Sequence, residues 1–312
     1  MRESRAGLDS SSANGRKSAA KSIANGLPDF RTSGLPDRAQ TLPDQPNRLA
    51  DTFSQLQANR RKAFIAYLCA GDPDLDTTVD LVVAMAAEGV DIIELGIPYS
   101  DPMADGVAIQ AACERSLAAG TSVVRVLDAV RRIRVRTAVP LVAFTYINPV
   151  LAYGVERFAR DAVAAGLDAV LPLDLPPDED HTVIAAFRAA GLANVCLAAP
   201  TTTAARKKFL ASESRGFLYY VCRLGVTGER ASLPADLGRQ VQTLKKVSDA
   251  PVCIGFGIST PEQAAEAAGH GDGVIVGSHL VQLIANHPGP RAKLVATVAA
   301  RAGLLAAAVH GA

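Results

Sequence analysis

Residues 87–96 read Ala87-Glu88-Gly89-Val90-Asp91-Ile92-Ile93-Glu94-Leu95-Gly96. An alanine-rich helical pattern stops at a glycine, two residues follow, and a short apolar run begins. Glycine suits the left-handed position just past a helix, and a short loop then launches a strand. The same junction recurs at Ala164-Ala165-Gly166-Leu167-Asp168 and at Ala189-Ala190-Gly191-Leu192-Ala193. Working outward, strand-like runs fall at residues 64–68, 91–95, 140–144, 168–172, 194–198, 217–221, 251–254 and 273–276. Alanine-rich segments with helical periodicity, such as 77–87, 155–165 and 262–268, lie between them. Eight strands alternating with helices over roughly 240 residues is the count and size of an α/β fold of the (β/α)8 TIM-barrel type. A doubly wound open sheet usually carries G-x-G-x-x-G after its first strand. Here Cys69-Ala70-Gly71-Asp72-Pro73 follows instead, and the barrel is the better reading.

The bulk numbers agree with a globular barrel. The chain has 312 residues, 49% of them hydrophobic, and a formal net charge of +1. A near-zero balance argues against a nucleic-acid or anionic-membrane surface as the main function. No uninterrupted apolar run reaches the roughly 18 residues of a membrane span, and no secretory h-region is visible near the start. The five cysteines are odd in number and form no C-x-x-C pair, so they read as small buried thiols in a reducing, cytoplasmic setting. The five histidines show no metal-ligand spacing. Residues 1–50 are rich in Ser, Ala, Asn, Pro and Arg, and Leu-Pro-Asp occurs there three times. They are expected to form a disordered tail ahead of a barrel domain over 51–312. Their acidic residues speak against a transit peptide.

Active sites of such barrels lie at the C-terminal ends of the strands. Glu94 stands near the end of the second strand, between Ile93 and Leu95. Desolvation there raises a carboxyl pKa and lets it exchange protons near neutrality. An internal ion pair is the alternative. Asp105 lies on the following loop, Ile97-Pro98-Tyr99-Ser100-Asp101-Pro102-Met103-Ala104-Asp105-Gly106. It reads either as the second of two carboxylates dividing acid and base roles or as the N-cap of the next helix. Pro98 and Pro102 stiffen this loop, and Gly96 and Gly106 are expected to act as its pivots. Gly255-Phe256-Gly257-Ile258-Ser259 follows the seventh strand, and Gly277-Ser278 opens a helical run after the eighth. Loops in those two positions, with a helix N-terminus, commonly hold phosphate. After the sixth strand, Arg223-Leu224-Gly225-Val226-Thr227-Gly228-Glu229-Arg230 has the length and polarity of a closing flap.

Taken together these segments resemble the tryptophan synthase alpha subunit family, over about residues 52 to 285. The carriers are Tyr67-Leu68-Cys69-Ala70-Gly71-Asp72-Pro73, the 94–106 stretch, Thr145-Tyr146-Ile147-Asn148-Pro149, Asp174-Leu175-Pro176-Pro177, Cys222-Arg223-Leu224-Gly225-Val226-Thr227-Gly228 and the Gly255–Ser259 motif. The resemblance implies retro-aldol cleavage of indole-3-glycerol phosphate to indole and glyceraldehyde 3-phosphate. It matches Glu94 and Asp105 to the catalytic carboxylates and Tyr219 to a tyrosine beside the reacting centre. It matches Gly228, Gly255, Gly257, Gly277 and Ser278 to the phosphate site, and Tyr67, Phe144 and Leu171 to the indole pocket. Thr227 corresponds to an ordering residue of the flap. Asp101, Pro102 and Asn148 correspond to surfaces meeting a beta subunit in an alpha2beta2 assembly. The family uses no metal or organic cofactor in this half of the enzyme.

Departures from the family pattern are Cys69 and Cys222, where hydroxyl residues are usual, Tyr67 in place of a common Phe, and Leu173 in place of a smaller residue. A thiol is a weaker hydrogen-bond donor than a hydroxyl. Three other readings stand beside the first: a free-standing indole-3-glycerol phosphate lyase, another phosphate-binding barrel of the same pathway, and a non-catalytic subunit that activates a partner. The paired carboxylates disfavour the last two.

Overall fold

The computed structural model describes residues 47–222, 233–255, 257–287 and 289–312. The flap residues, Thr227 and Gly228 among them, and residues 1–46 of the expected tail lie outside the described residues.

All strands are parallel: β1 (Ala63–Cys69), β2 (Ile92–Gly96), β3 (Leu141–Thr145), β4 (Ala169–Pro172), β5 (Ala193–Asn194), β6 (Cys196–Ala198), β7 (Leu218–Val221), β8 (Val252–Gly255) and β9 (Gly273–Val276). Their order is β5-β4-β3-β2-β1-β9-β8-β7-β6. β5 and β6 are one barrel strand interrupted at Val195, whose N–H donates to Val170 O at 2.9 Å and carries the circuit round. β8 and β9 therefore occupy the seventh and eighth barrel positions.

The helix–glycine–strand junction holds in three dimensions. Gly89, Gly166 and Gly191 have φ of +95°, +108° and +93°, values a side chain disfavours. The residue two places on then engages the neighbouring strand. Asp91 donates its N–H to Phe64 O and accepts from Phe64 N at 2.7 Å. Asp168 does the same with Leu141, and Asp272, after Gly271, with Val252. Each aspartate thus clasps two strands at their N-terminal ends. Where the motif carries Ala193 instead, the strand it launches breaks after two residues.

Strand side chains alternate between two cores, as the period of two requires. On β1, Phe64, Ala66 and Leu68 face the helices, while Ala63 and Ile65 point into the barrel. The helix Arg48–Ala58 closes the bottom of the barrel and buries Leu49, Phe53 and Leu56 against that interior. The ordered barrel thus reaches upstream of the boundary expected at residue 51. Asn47 caps this helix and donates to Asp168 O, and Arg48 pairs with the Asp168 carboxylate at 2.8 Å. The last helix, Arg291–His310, is long and apolar enough by length and composition to cross a membrane. Here one face of it, with Leu294, Val298, Ala302 and Leu305, is buried against the barrel's outer layer.

Candidate active site

Glu94 points inward from β2 with register neighbours Tyr67 on β1 and Val142 on β3. It is 0% exposed, and neither carboxylate oxygen has a hydrogen-bond partner. Burial alone pushes its pKa up to about 8. An ion pair was the alternative, and among the described residues no cation meets it. An unpartnered ionised carboxylate would be costly in such a place, so the group holds its proton at neutral pH.

Asp105 is also buried, but it has a partner. The Tyr146 hydroxyl donates to Asp105 Oδ2 at 3.0 Å and accepts from Ala104 N at 3.0 Å. Burial raises the Asp105 pKa to about 6, with the Tyr146 bond pulling the other way. Asp105 is not the N-cap of the next helix. Gly106 holds that position for Val107–Ala118, without any side-chain cap bond. Tyr146 itself was quoted in a motif but given no role by the sequence. It lies 41 residues from Asp105 in the chain, and only the barrel brings them together.

Tyr67, the register neighbour of Glu94, and Tyr219 are two buried phenols that feel its charge. Both phenols are held well above their usual range by burial first. Tyr219 then feels Glu94 as its leading charged neighbour, and Tyr67 feels Cys69 and Asp105. Both therefore stay neutral donors near pH 7. Tyr67 meets Phe144 edge-on, with centroids 4.9 Å apart, and Leu171 is the register neighbour of Phe144. The three expected indole-pocket residues thus line one side of the barrel interior.

Two glycines have a steric reason the sequence did not reveal. A Cβ on Gly96 would sit 2.2 Å from the Tyr67 hydroxyl, and one on Gly255 would sit 2.4 Å from the Tyr219 hydroxyl. Gly96, expected as a loop pivot, is instead a strand residue over which the Tyr67 ring passes. Gly277 precedes the helix Ser278–Ala285, whose first residue, Ser278, is buried; Gly257 stands on the loop after β8 with φ +32°. Asp101 is exposed and accepts from the Ser100 hydroxyl, Pro102 is half-buried, and exposed Asn148 donates to the hydroxyl of half-buried Tyr99 at 2.7 Å. All five cysteines are buried.

Residues 53–310 match the family model described as "Tryptophan synthase alpha chain". The chain belongs to the tryptophan synthase alpha chain family. The match runs beyond residue 285, where the resemblance was drawn to end, through the last helix. The tryptophan synthase alpha chain of Geobacter sulfurreducens is 48% identical over 237 residues, which are 76% of this chain and 90% of that one. That of Opitutus terrae is 45% identical over 261 residues, 84% and 98% of the two chains. Among solved structures, the alpha subunit from Legionella pneumophila superposes with a TM-score of 0.77 at 37% identity, covering 86% of this chain and all of that one. A chain of Mycobacterium tuberculosis tryptophan synthase gives 0.78 at 40% identity, covering 85% and 99%. The family is a lyase family that cleaves indole-3-glycerol phosphate in tryptophan biosynthesis.

Proposed function

We propose that this chain performs the family's retro-aldol cleavage with Glu94 as proton carrier and Asp105 as the charged partner of the indole ring. The observation that supports it best is the split between two buried carboxyls at one barrel mouth: about 8 for the unpartnered Glu94, about 6 for the tyrosine-bonded Asp105. Near pH 7 one holds a proton and the other is ionised, the division of roles that acid–base catalysis needs.

The chemistry follows. Glu94 gives its proton to C3 of the indole ring, which becomes an iminium able to accept electrons. Ionised Asp105 accepts a hydrogen bond from the ring N–H and stabilises that positive charge in a water-poor site, worth on the order of a few kcal/mol. The Glu94 carboxylate then takes the proton of the glycerol hydroxyl beside the scissile bond. As that oxygen becomes an aldehyde, the C–C bond breaks and its electrons restore the indole. Glu94 ends protonated, as it began. Tyr219 serves as a neutral donor beside the reacting centre. The loops of Gly255, Gly257 and Gly277 with Ser278, joined by Gly228, hold the phosphate through backbone N–H groups, and Thr227 orders the flap. Tyr67, Phe144 and Leu171 receive the indole.

A beta subunit seats on the loop after β2 in an alpha2beta2 assembly in the cytoplasm. Asp101 and Pro102 stand there beside Met103 and Val107, which are 86% and 74% exposed, and Asn148 lies on the neighbouring surface. Large exposed apolar side chains in one short segment suit a docking site. The loop carries Asp105 at its inner end, so a partner that favours one loop state shifts activity without adding a catalytic group.

Indole release is to be measured with and without a beta subunit, for wild type and for Asp101→Ala. The expected outcome is low activity alone and a gain of roughly 5–150-fold with the partner, a gain that Asp101→Ala reduces more than it reduces the basal rate. Full activity alone, with no response to a beta subunit, would favour the free-standing lyase.

A further inference from the structure

The two loops read above as the phosphate cradle are joined from behind by one side chain. Arg301 lies in the middle of the last helix, Arg291–His310, 42 residues from one loop and 22 from the other. Its Nη2 donates to Ser259 O at 2.6 Å, and its Nε donates to His279 Nε2 at 3.0 Å. Ser259 belongs to the loop after β8, and His279 to the first turn of the helix Ser278–Ala285 after β9.

The peptide at Ser259 is gripped on both sides. Gln263 Oε1 accepts from Ser259 N at 2.9 Å and from Thr260 N at 3.3 Å, within a capping box formed with Thr260. The Ser259 N–H is thereby committed to the helix that follows, and its carbonyl to Arg301. With that carbonyl held by Arg301, it is not free to turn toward an anion on the loop, and the N–H groups of Gly257 and Ile258, which donate to no acceptor among the described residues, are available to one. A carbonyl free to swing forward would put a negative dipole at the same place. The contact with His279 acts on the other loop: it fixes the ring of the helix's second residue, and so the first turn whose N–H groups are an anion site. A guanidinium has the geometry for this task, since its donors are held in a rigid fork and it keeps its charge at any working pH.

We propose that Arg301 is a positioning residue for the phosphate-binding loops, holding the β8 and β9 loops in register for the phosphate of the substrate. The inference rests on the phosphate reading of those loops. It also gives the C-terminal helix a part in substrate binding in addition to its packing role.

The test uses the full-length chain carrying Arg301→Ala or Arg301→Lys, with Ser278→Ala as the probe of the phosphate reading itself. Three quantities are read: KM for indole-3-glycerol phosphate, kcat, and the inhibition constant of inorganic phosphate. Arg301→Ala is expected to raise KM and the phosphate inhibition constant together by about tenfold, while kcat falls by less than about threefold, because binding remote from the reacting bond is what is lost. Arg301→Lys, which keeps a charge but reaches one acceptor at a time, should recover part of the loss. It also serves as the working variant if the alanine form does not fold. Unchanged KM and phosphate inhibition in a folded Arg301→Ala, with both raised in Ser278→Ala, would overturn the positioning role and leave the phosphate site standing. No change in either variant would remove the phosphate reading and the inference with it. A fall in kcat alone would place the action of Arg301 elsewhere and also overturn it.

Discussion

The two ends of the barrel treat the same chemical group in opposite ways. At the bottom, the carboxylates of Asp91, Asp168 and Asp272 each accept a backbone N–H from the adjacent strand and each meet a basic side chain: His310, the pair Arg48 and Arg134, and Lys245. At the top, Glu94 has no partner among the described residues and Asp105 has a phenol. Asp91 and Glu94 are three residues apart in one segment of chain. Burial alone does not separate them, since Asp168 is as deeply placed as Asp105. Burial pushes the Asp168 pKa up as well, but the Leu141 N–H and two guanidiniums pull it back. What differs is satisfaction. A carboxylate held by a backbone N–H and a basic side chain is a clasp, and one left empty is a reservoir for a proton.

The largest effect expected from this contrast is on Glu94. Glu94→Gln keeps the shape and removes the proton exchange, so turnover should fall by roughly 10²–10⁴-fold, read as indole release. Stability should move the other way. The folded pKa of about 8 lies above the ordinary 4.5. Between those values the unfolded chain has released a proton that the folded one retains, so wild-type stability falls as pH rises through that window. The total is on the order of a few kcal/mol. Glu94→Gln should flatten this slope and melt higher than wild type near pH 8. A variant that kept more than about a tenth of wild-type turnover, or lost stability at that pH, would break the contrast.

Asp168→Asn is the counterpart at the bottom. It leaves Arg134, the less exposed of the two guanidiniums, short of its carboxylate and weakens the clasp between β3 and β4. The expected cost is about 3 kcal/mol of stability, near the low end for breaking a buried pair, with kcat within twofold at a temperature where the variant is folded. Chemical unfolding and indole release measured on the same sample separate the two. A drop in kcat with unchanged stability would mean that the two ends are not independent.

The barrel was legible because its signal is local and repeated. The Gly-x-Asp junctions, the apolar runs and the motif order all fall within a few residues, and the strand assignments at 64–68 and 91–95 differ from β1 and β2 by one residue at each end. The break at Val195 was not legible, because Ala193 differs from its counterparts by a missing carboxylate whose work is done on another strand. Glu94 could be picked out from its apolar neighbours and place on the strand. Tyr146 could not, since its partner is 41 residues away. For Gly255 the sequence offers backbone approach to a ligand, and the structure adds a tyrosine ring occupying the space of its Cβ.

The smallest expected effect tests Tyr146, the hydroxyl partner that distinguishes Asp105 from Glu94 among the described residues. For the free enzyme, kcat/KM should follow a bell in pH. Its acid limb lies near 6, where Asp105 ionises, and its alkaline limb near 8, where Glu94 loses its proton. The Tyr146 hydroxyl donates to the ionised form of Asp105 and so lowers that pKa. Tyr146→Phe removes the donor without removing the ring. The acid limb should then move upward by up to about one pH unit, the equivalent of roughly 1.4 kcal/mol, while the alkaline limb stays in place. Because the same hydroxyl also receives Ala104 N, some loss of absolute rate is expected at every pH, and the position of the limb, not the height of the curve, carries the test. An acid limb that stays put or moves downward would mean that Asp105 is tuned by something other than Tyr146, and the distinction between an unpartnered and a singly partnered carboxylate at the barrel mouth would lose its functional meaning.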